Sequence, residues 1–492
     1  MKKLMALLLT TCILVSALAS CGSGGGTSSD TAVTEAQAGE ETTAAPEYSY
    51  PEVNYEGYEF RVLNLAEAWN TYIHLDFENL TGEGLDDAVY NRNRSVESRY
   101  NFVWKELEHP YTGWSTVQKE LISLVETSVL AGTDDYDAAY LSVYWKNGIV
   151  TEGYLCDLRS IPELQLDEKW WDTNIISLLT VNDKCMTASS PLNLNTIGLC
   201  DVLLFNETMM KRYGLDYPYQ LVRDGKWTLD KFSEYVKGAA QLNGDAGWAY
   251  TEEGNCIYGI AGHSDMPIAY VCGAGNTLTK RTADGLFELS VENDNFYNAF
   301  DKVSAIFTTS DGSVRFNNGD TKTPGGYLHI FNNGRSMFIT CEMKAALELR
   351  QMEDSFGLLP TPKMDEKQDD HLTVVSYNSF LLTMPITQKD TARAGIILDT
   401  QTYESYKTVF PEYSEKTLTQ KGLRNDDSIE MLALINESLT IEFCQVMGVT
   451  TALTAAINSL ITGEKGPGVA STIAQHKEKI IADMQTVYDS MK

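Results

Sequence analysis

An α/β fold built around mostly parallel sheets is what this sequence predicts, and three observations predict it. Between residues 58 and 142, short apolar runs alternate with helical patterns in strand–helix–strand order. The same alternation resumes beyond residue 184. The 492-residue chain is 43% hydrophobic and 10% aromatic, too rich in core-forming side chains for a disordered or fibrous protein. That length corresponds to about three ordinary domains or two large lobes. Lys+Arg number 38 against 68 Asp+Glu, a formal net charge of −30. Such a chain repels a phosphate backbone, which argues against nucleic acid as a partner.

The N-terminus is an address rather than a fold. Lys2 and Lys3 precede an apolar run, Leu4 to Val15, broken only by Thr10 and Thr11, and small residues follow at Ser16, Ala17, Ala19 and Ser20. Residues 1–20 therefore read as a secretory signal, too short for a stable transmembrane span. Leu18-Ala19-Ser20-Cys21 resembles a bacterial lipobox, in which Cys21 receives a diacylglyceryl group and becomes the mature N-terminus. Two acyl chains hold a protein on a membrane where one is marginal. Residues 21–50, rich in Gly, Ser, Thr, Ala and Glu, cannot bury enough to fold and read as a flexible acidic tether reaching on the order of 30 Å. The expected location is the extracellular face of a cell membrane, with the lipid as the only membrane contact.

The body begins with a strand at Glu59–Leu65. A helix over 83–99 is predicted from Leu85, Val89, Val96 and their neighbours at helical spacing, and Asn101–Lys105 alternates as a second strand. A helix over about 114–131 should stop at Gly132. Tyr136–Ser142, mostly apolar, reads as a strand buried on both faces. Val202–Asn206 is a strand, Glu207–Tyr213 a short helix closed by Gly214, and Thr228 is placed to cap a helix running to about Leu242. Helices are expected at 294–308 and 343–353 around the strand Ser336–Thr340. Val374–Met384 is strand-like, and helices follow at about 389–409, 426–447 and 468–491.

Four stretches, with the lipobox, carry a family resemblance over about 58–492. They are Gly132–Tyr140; Leu203–Glu207 through Tyr213-Gly214-Leu215 and Gly225–Asp230; Phe331–Met337; and Phe356–Pro362. In order and spacing the chain resembles the lipoprotein solute-binding components of ABC importers, specifically the large extracellular family that takes up carbohydrates. The resemblance implies a bilobal, type II periplasmic-binding-protein-like fold. Its first lobe would take 58–187 plus 379–440, and its second 200–372 plus 443–492. Hinge crossovers would lie near 189–197 and 374–379. It also implies a carbohydrate ligand between the lobes, permease transmembrane subunits as partners, no cofactor, and no catalysis. The alternatives are a glycan-processing enzyme, or a surface lipoprotein that senses or adheres to glycans.

Sugar recognition needs flat apolar faces and planar hydrogen-bonding groups. Candidate ligand contacts are those at strand ends and crossovers: Trp69, Asn70 and Tyr72 after the first strand, Tyr144 and Trp145 after the third, Asn193 and Asn195 in the first crossover, Glu342, and Tyr377 and Asn378 in the second. Trp248 and Tyr270 are looser candidates, whereas Trp104, Trp170, Trp171 and Trp227 read as packing. No metal site is expected: the six histidines are scattered, and Gln241, Asn243, Asp245 and Glu252 fit a calcium-loop template poorly because Gln241 and Ala246 replace its Asp and Gly. Cys156, Cys185, Cys200, Cys256, Cys272, Cys341 and Cys444 remain in the body, mostly in apolar runs that suit buried thiols, with a Cys256–Cys272 disulfide left open.

Overall fold

The computed structural model describes residues 48–65, 74–143, 147–308, 314–423, 425–463 and 466–492. The signal, Cys21 and nearly all of the tether lie outside these residues, as do Trp69, Asn70, Tyr72, Tyr144 and Trp145. No helix among the described residues is long and apolar enough to cross a membrane.

In chain order the strands are β1 (Tyr58–Leu65), β2 (Phe102–His109), β3 (Ala138–Ser142), β4 (Asp201–Asn206), β5 (Tyr258–Gly262), β6 (Thr279–Arg281), β7 (Phe287–Leu289), β8 (Val314–Phe316), β9 (Ser336–Glu342), β10 (Phe356–Leu359), β11 (Thr373–Val374), β12 (Phe380–Thr383) and β13 (Leu439–Thr440). They form two principal sheets, ordered β12-β3-β1-β2 and β10-β4-β9-β5-β8. Within the first, β1 is parallel to β2 and β3, as the helical connections predict, because a helix between strands returns the chain to the same edge. In the second, β5 is parallel to β8 and β9. Antiparallel pairing enters with β12 against β3 and with β4 against β9 and β10. β4 and β12 are the strands that follow the two crossovers, so the chain enters each sheet from the end facing the other.

Local chemistry accounts for the helix ends. Gly132 and Gly214 close their helices at φ 64 and 68, a left-handed conformation that glycine adopts without a Cβ penalty. Thr228 caps Leu229–Ala239 by accepting from the Lys231 N–H. In the second sheet Phe338 lies among Phe205, Trp227, Phe232 and Tyr235, and the Trp227 indole donates to the Pro360 carbonyl at 3.1 Å. In the first, Trp104 stacks on Phe60 at 5.5 Å. These tryptophans are packing residues, as their positions predict. The seven described cysteines are free thiols.

Three expected elements differ. The helix predicted over 343–353 shrinks to Ala345–Glu348. Val374–Met384 divides into β11 and β12, with Val375–Ser379 left as the second crossover. The helix predicted over 426–447 becomes a helix at Asp426–Glu437, then β13, then a turn of helix at Phe443–Val446. The break falls where the backbone finds a second partner: Thr373 donates to the Ser438 carbonyl and Val375 to that of Thr440, both at 2.9 Å. Asp426–Glu437 also packs on β10 rather than on the first sheet. The Leu358 N–H donates to Ser428 Oγ at 3.1 Å, and Arg223 pairs with Asp427 and Glu430. Residues 391–422 pack on the helix Gly84–Tyr100, and their last part, Glu412–Gly422, also packs on Ala345–Glu348.

Asp399 ties the first sheet's flank together. It is fully buried and accepts from the indoles of Trp170 (3.1 Å) and Trp171 (2.7 Å), and from the Gln165 backbone and side-chain amides (3.1 and 3.0 Å). Asp399→Ala strands the two buried indole donors without water. It is expected to lower the unfolding free energy by about 3 kcal/mol or more in urea denaturation.

Candidate functional site

The cleft-facing ends of the two sheets are set by register. β3 ends at Ser142, opposite Phe380, where the second crossover joins β12. β9 ends at Glu342, opposite Asp201, where the first crossover joins β4. Gly262 ends β5 beside Thr340 of β9. Carboxyl ends of parallel strands and the crossovers therefore converge, the arrangement in which open α/β sheets bind ligands.

Main-chain hydrogen bonds lock the crossovers together. The Lys344 and Met343 N–H groups donate to the carbonyls of Gly198 (2.9 Å) and Cys200 (3.0 Å), and the Ser376 N–H donates to that of Leu199 (2.8 Å). On the other side, Val143 donates to the Ser379 carbonyl at 3.1 Å. Residues 198–200 are thus gripped between the end of β9 and the second crossover.

Around this clamp lies a cavity of about 60 Å³, room for only a few waters in the conformation described. Its walls include Val143 from the end of β3, Asp201, Asp265, Tyr377 and Glu442, with Ile268 and Val375 among the apolar members. Asp201 is 6% exposed and its Oδ1 has no hydrogen-bond partner. Burial, reinforced by repulsion from Glu342, pushes its carboxyl well above the usual range. Glu342 Oε1 accepts from Ser376 Oγ (3.0 Å) and Asn378 Nδ2 (2.8 Å), and its Oε2 lies 3.7 Å from Lys344 Nζ. The Tyr377 hydroxyl donates to Asp265 Oδ2 at 2.7 Å. Glu442 accepts from the Thr279 backbone and hydroxyl, and burial pushes its carboxyl up to about 7.

Of the candidates predicted from sequence, Glu342, Tyr377 and Asn378 come together here. Asn193 and Asn195 lie buried in the first crossover: Asn193 Oδ1 accepts from the Asn195 N–H at 3.0 Å, and neither carboxamide atom of Asn195 has a partner. Tyr270 sits apart in the second core, its ring against Phe232 and Phe307. The Trp248 ring packs near Tyr258 at 6.1 Å. Sequence reasoning missed Asp201, Asp265, Ser376 and Glu442. The available signal for Asp201 was an acid directly following the apolar Leu199-Cys200 and opening an apolar strand.

Among the described residues one group has ligand atoms close enough for a metal, His74, Glu106 and Glu108. Glu106 already accepts from Asn64 Nδ2 (2.5 Å) and from the Leu75 and Asp76 N–H groups (both 2.9 Å), which makes it a clasp on the chain beyond β1. In the weak calcium template, Asp245 Oδ2 accepts from the Asn255 and Cys256 N–H groups (both 2.7 Å), the work of a turn.

No protein-family model and no curated protein matches the sequence. Solved structures do match. The galacto-N-biose-/lacto-N-biose I-binding protein of the ABC transporter from Bifidobacterium longum, in complex with lacto-N-biose, superposes with a TM-score of 0.57 at 11% identity, over 88% of this chain and 98% of that one. A cyclo/maltodextrin-binding protein complexed with maltotetraose gives 0.54 at 10% identity over 88% and 97%. UgpB from Mycobacterium tuberculosis, in complex with glycerophosphocholine, gives 0.54 at 11% over 87% and 98%. At such identity the likeness establishes the fold, a bilobal α/β architecture of the type II periplasmic-binding-protein kind.

The half-buried Glu442 gives the site a pH signature. Its folded-state value, raised from 4.5 to about 7, means that folding favours the protonated acid. This contribution to stability is complete below about pH 4.5 and is lost as pH rises toward 7. Glu442→Gln is therefore expected to flatten the fall in melting temperature of the ligand-free protein across that window, measured by thermal denaturation from pH 4 to 8.

Proposed function

We propose that this protein is a lipid-anchored, extracellular solute-binding receptor of an ABC importer. It captures a carbohydrate between two lobes and presents the closed form to permease subunits, without chemistry of its own. The observation that carries this reading is the convergence of strand ends and hydrogen-bonded crossovers on one largely apolar cavity, whose wall takes Asp201 from β4, Tyr377 from the second crossover and Val143 just beyond β3. Neighbours of the same fold support it, since their structures hold lacto-N-biose and maltotetraose at the solute-binding task; glycerophosphocholine in another indicates that the architecture also accommodates other polar solutes.

In this reading the first lobe takes 58–187 and 379–422, and the second takes 200–372 and 426–492. Tyr377, Asn378, Glu342, Asn193 and Asn195 contact the solute from the strand ends and crossovers, and Trp69, Asn70, Tyr72, Tyr144 and Trp145 supply further contacts from the first lobe. A cavity of about 60 Å³ is too small for a sugar ring, so entry requires hinge opening.

Calorimetry against a panel of mono- and oligosaccharides is expected to find a ligand, with a smaller radius of gyration in its presence; silence across a broad panel would remove the sugar assignment. Saccharide recovered after long incubation is expected unaltered, and released products would point to an enzyme instead. Tyr377→Phe, which deletes only the hydroxyl that donates to Asp265, is expected to weaken binding by roughly fivefold, the equivalent of one hydrogen bond of about 1 kcal/mol. Cys21→Ala is expected to move the protein from the membrane fraction to the medium.

A further inference from the structure

We propose that the solute carries a protonated amine as well as hydroxyls, as an amine-bearing saccharide or polyol does, and that Asp201 is the group that reads its charge. The proposal rests on the cavity being a solute-capture site and adds the class of solute. The lining of the cavity holds three acids, Asp201, Asp265 and Glu442, and no Lys, Arg or His. A fourth acid, Glu342, stands opposite Asp201 across the β4–β9 pair. Two cationic groups beside these acids pair with others than Asp201: Lys344 Nζ lies 3.7 Å from Glu342, and His263 Nδ1 lies 3.8 Å from Asp265. Burial holds the His263 imidazole below its ordinary range, so it brings little charge near pH 7.

The acids are also unequally satisfied. Glu342 accepts from Ser376 and Asn378, Asp265 from Tyr377, and Glu442 from Thr279. Asp201 is as buried as any of them, yet its Oδ1 has no donor at all. Its raised carboxyl pKa is the response expected of an acid that lacks a countercharge. A sugar hydroxyl would satisfy Oδ1 but would do nothing to favour the ionised carboxylate over the acid that burial now favours. An ammonium does both, with three donors and a positive charge in surroundings where water screens little. An anionic solute would find no Lys, Arg or His in the wall to pair with.

The test uses three β-1,4-linked disaccharides of matched skeleton: the free-amine glucosamine dimer, its di-N-acetyl form and cellobiose. Calorimetry on the mature protein at pH 7 should find the free-amine dimer bound at least tenfold more tightly than the other two. The margin should narrow as salt is raised and collapse in Asp201→Asn, a substitution that keeps shape and removes charge, with circular dichroism confirming the fold. Equal or tighter binding of the acetylated or neutral dimer overturns the amine assignment and leaves solute capture standing. An amine preference that survives in Asp201→Asn overturns the role of Asp201. Silence from all three dimers, with binding found elsewhere in a neutral saccharide panel, also overturns the amine assignment. Silence everywhere removes both readings. The wild-type comparison decides the amine assignment even if the variant does not fold.

Discussion

The grip on residues 198–200 is the constraint on which the site depends. A buried segment passing between two sheets cannot leave its carbonyls unpaired, because each orphaned group has lost its hydration without replacement. Here those carbonyls are taken up by Lys344, Met343 and Ser376 from two different segments. Once the first crossover is held in this way, the start of β4 is fixed beside the end of β9. Asp201 then has no choice but to face Glu342. The presence of this acid in the wall of a largely apolar cavity follows from that backbone arrangement.

The buried acids of this protein divide by how many donors reach them. Asp399 has two indoles and two amides, and Glu106 has a carboxamide and two backbone N–H groups. Full donor sets make these carboxylates structural, since their lone pairs are occupied whatever else binds. Asp201 breaks the pattern in the one place where the sheets and crossovers meet. A buried acid left unsatisfied beside a cavity is where an outside molecule has most to contribute.

The direction of the strands expresses the same geometry. Helical connections make β1, β2 and β3 parallel, whereas β4 and β12 arrive straight from crossovers and therefore run against their neighbours. Both antiparallel strands thus begin at the cleft, and each carries a crossover residue to its edge. The third connection, through β13, reaches the same place because Ser438 and Thr440 offer carbonyls to the chain on either side of β11. Pairing with a neighbouring segment outweighs the helical pattern of 426–447, a local preference worth only tenths of a kcal/mol per residue.

Much was determined by sequence alone, through local rules: the alternation of strands and helices, the glycine stops at Gly132 and Gly214, the Thr228 cap, and the packing role of Trp104 and Trp227. Glu342, Tyr377 and Asn378 were named as candidates because the family resemblance placed a ligand loop after the strand 336–340 and a crossover near 374–379. Asp201, Asp265, Ser376 and Glu442 were not, and neither was the transfer of Asp426–Glu437 to the second sheet. Whether an acid faces a cavity, a donor or another acid depends on segments far apart in the chain. Asp201 and Glu342 are separated by 141 positions and meet only through sheet register. Periodicity reports which face of an element is buried, but what lies across from that face is decided by the tertiary fold, since burial and charge pairing are properties of the space between elements.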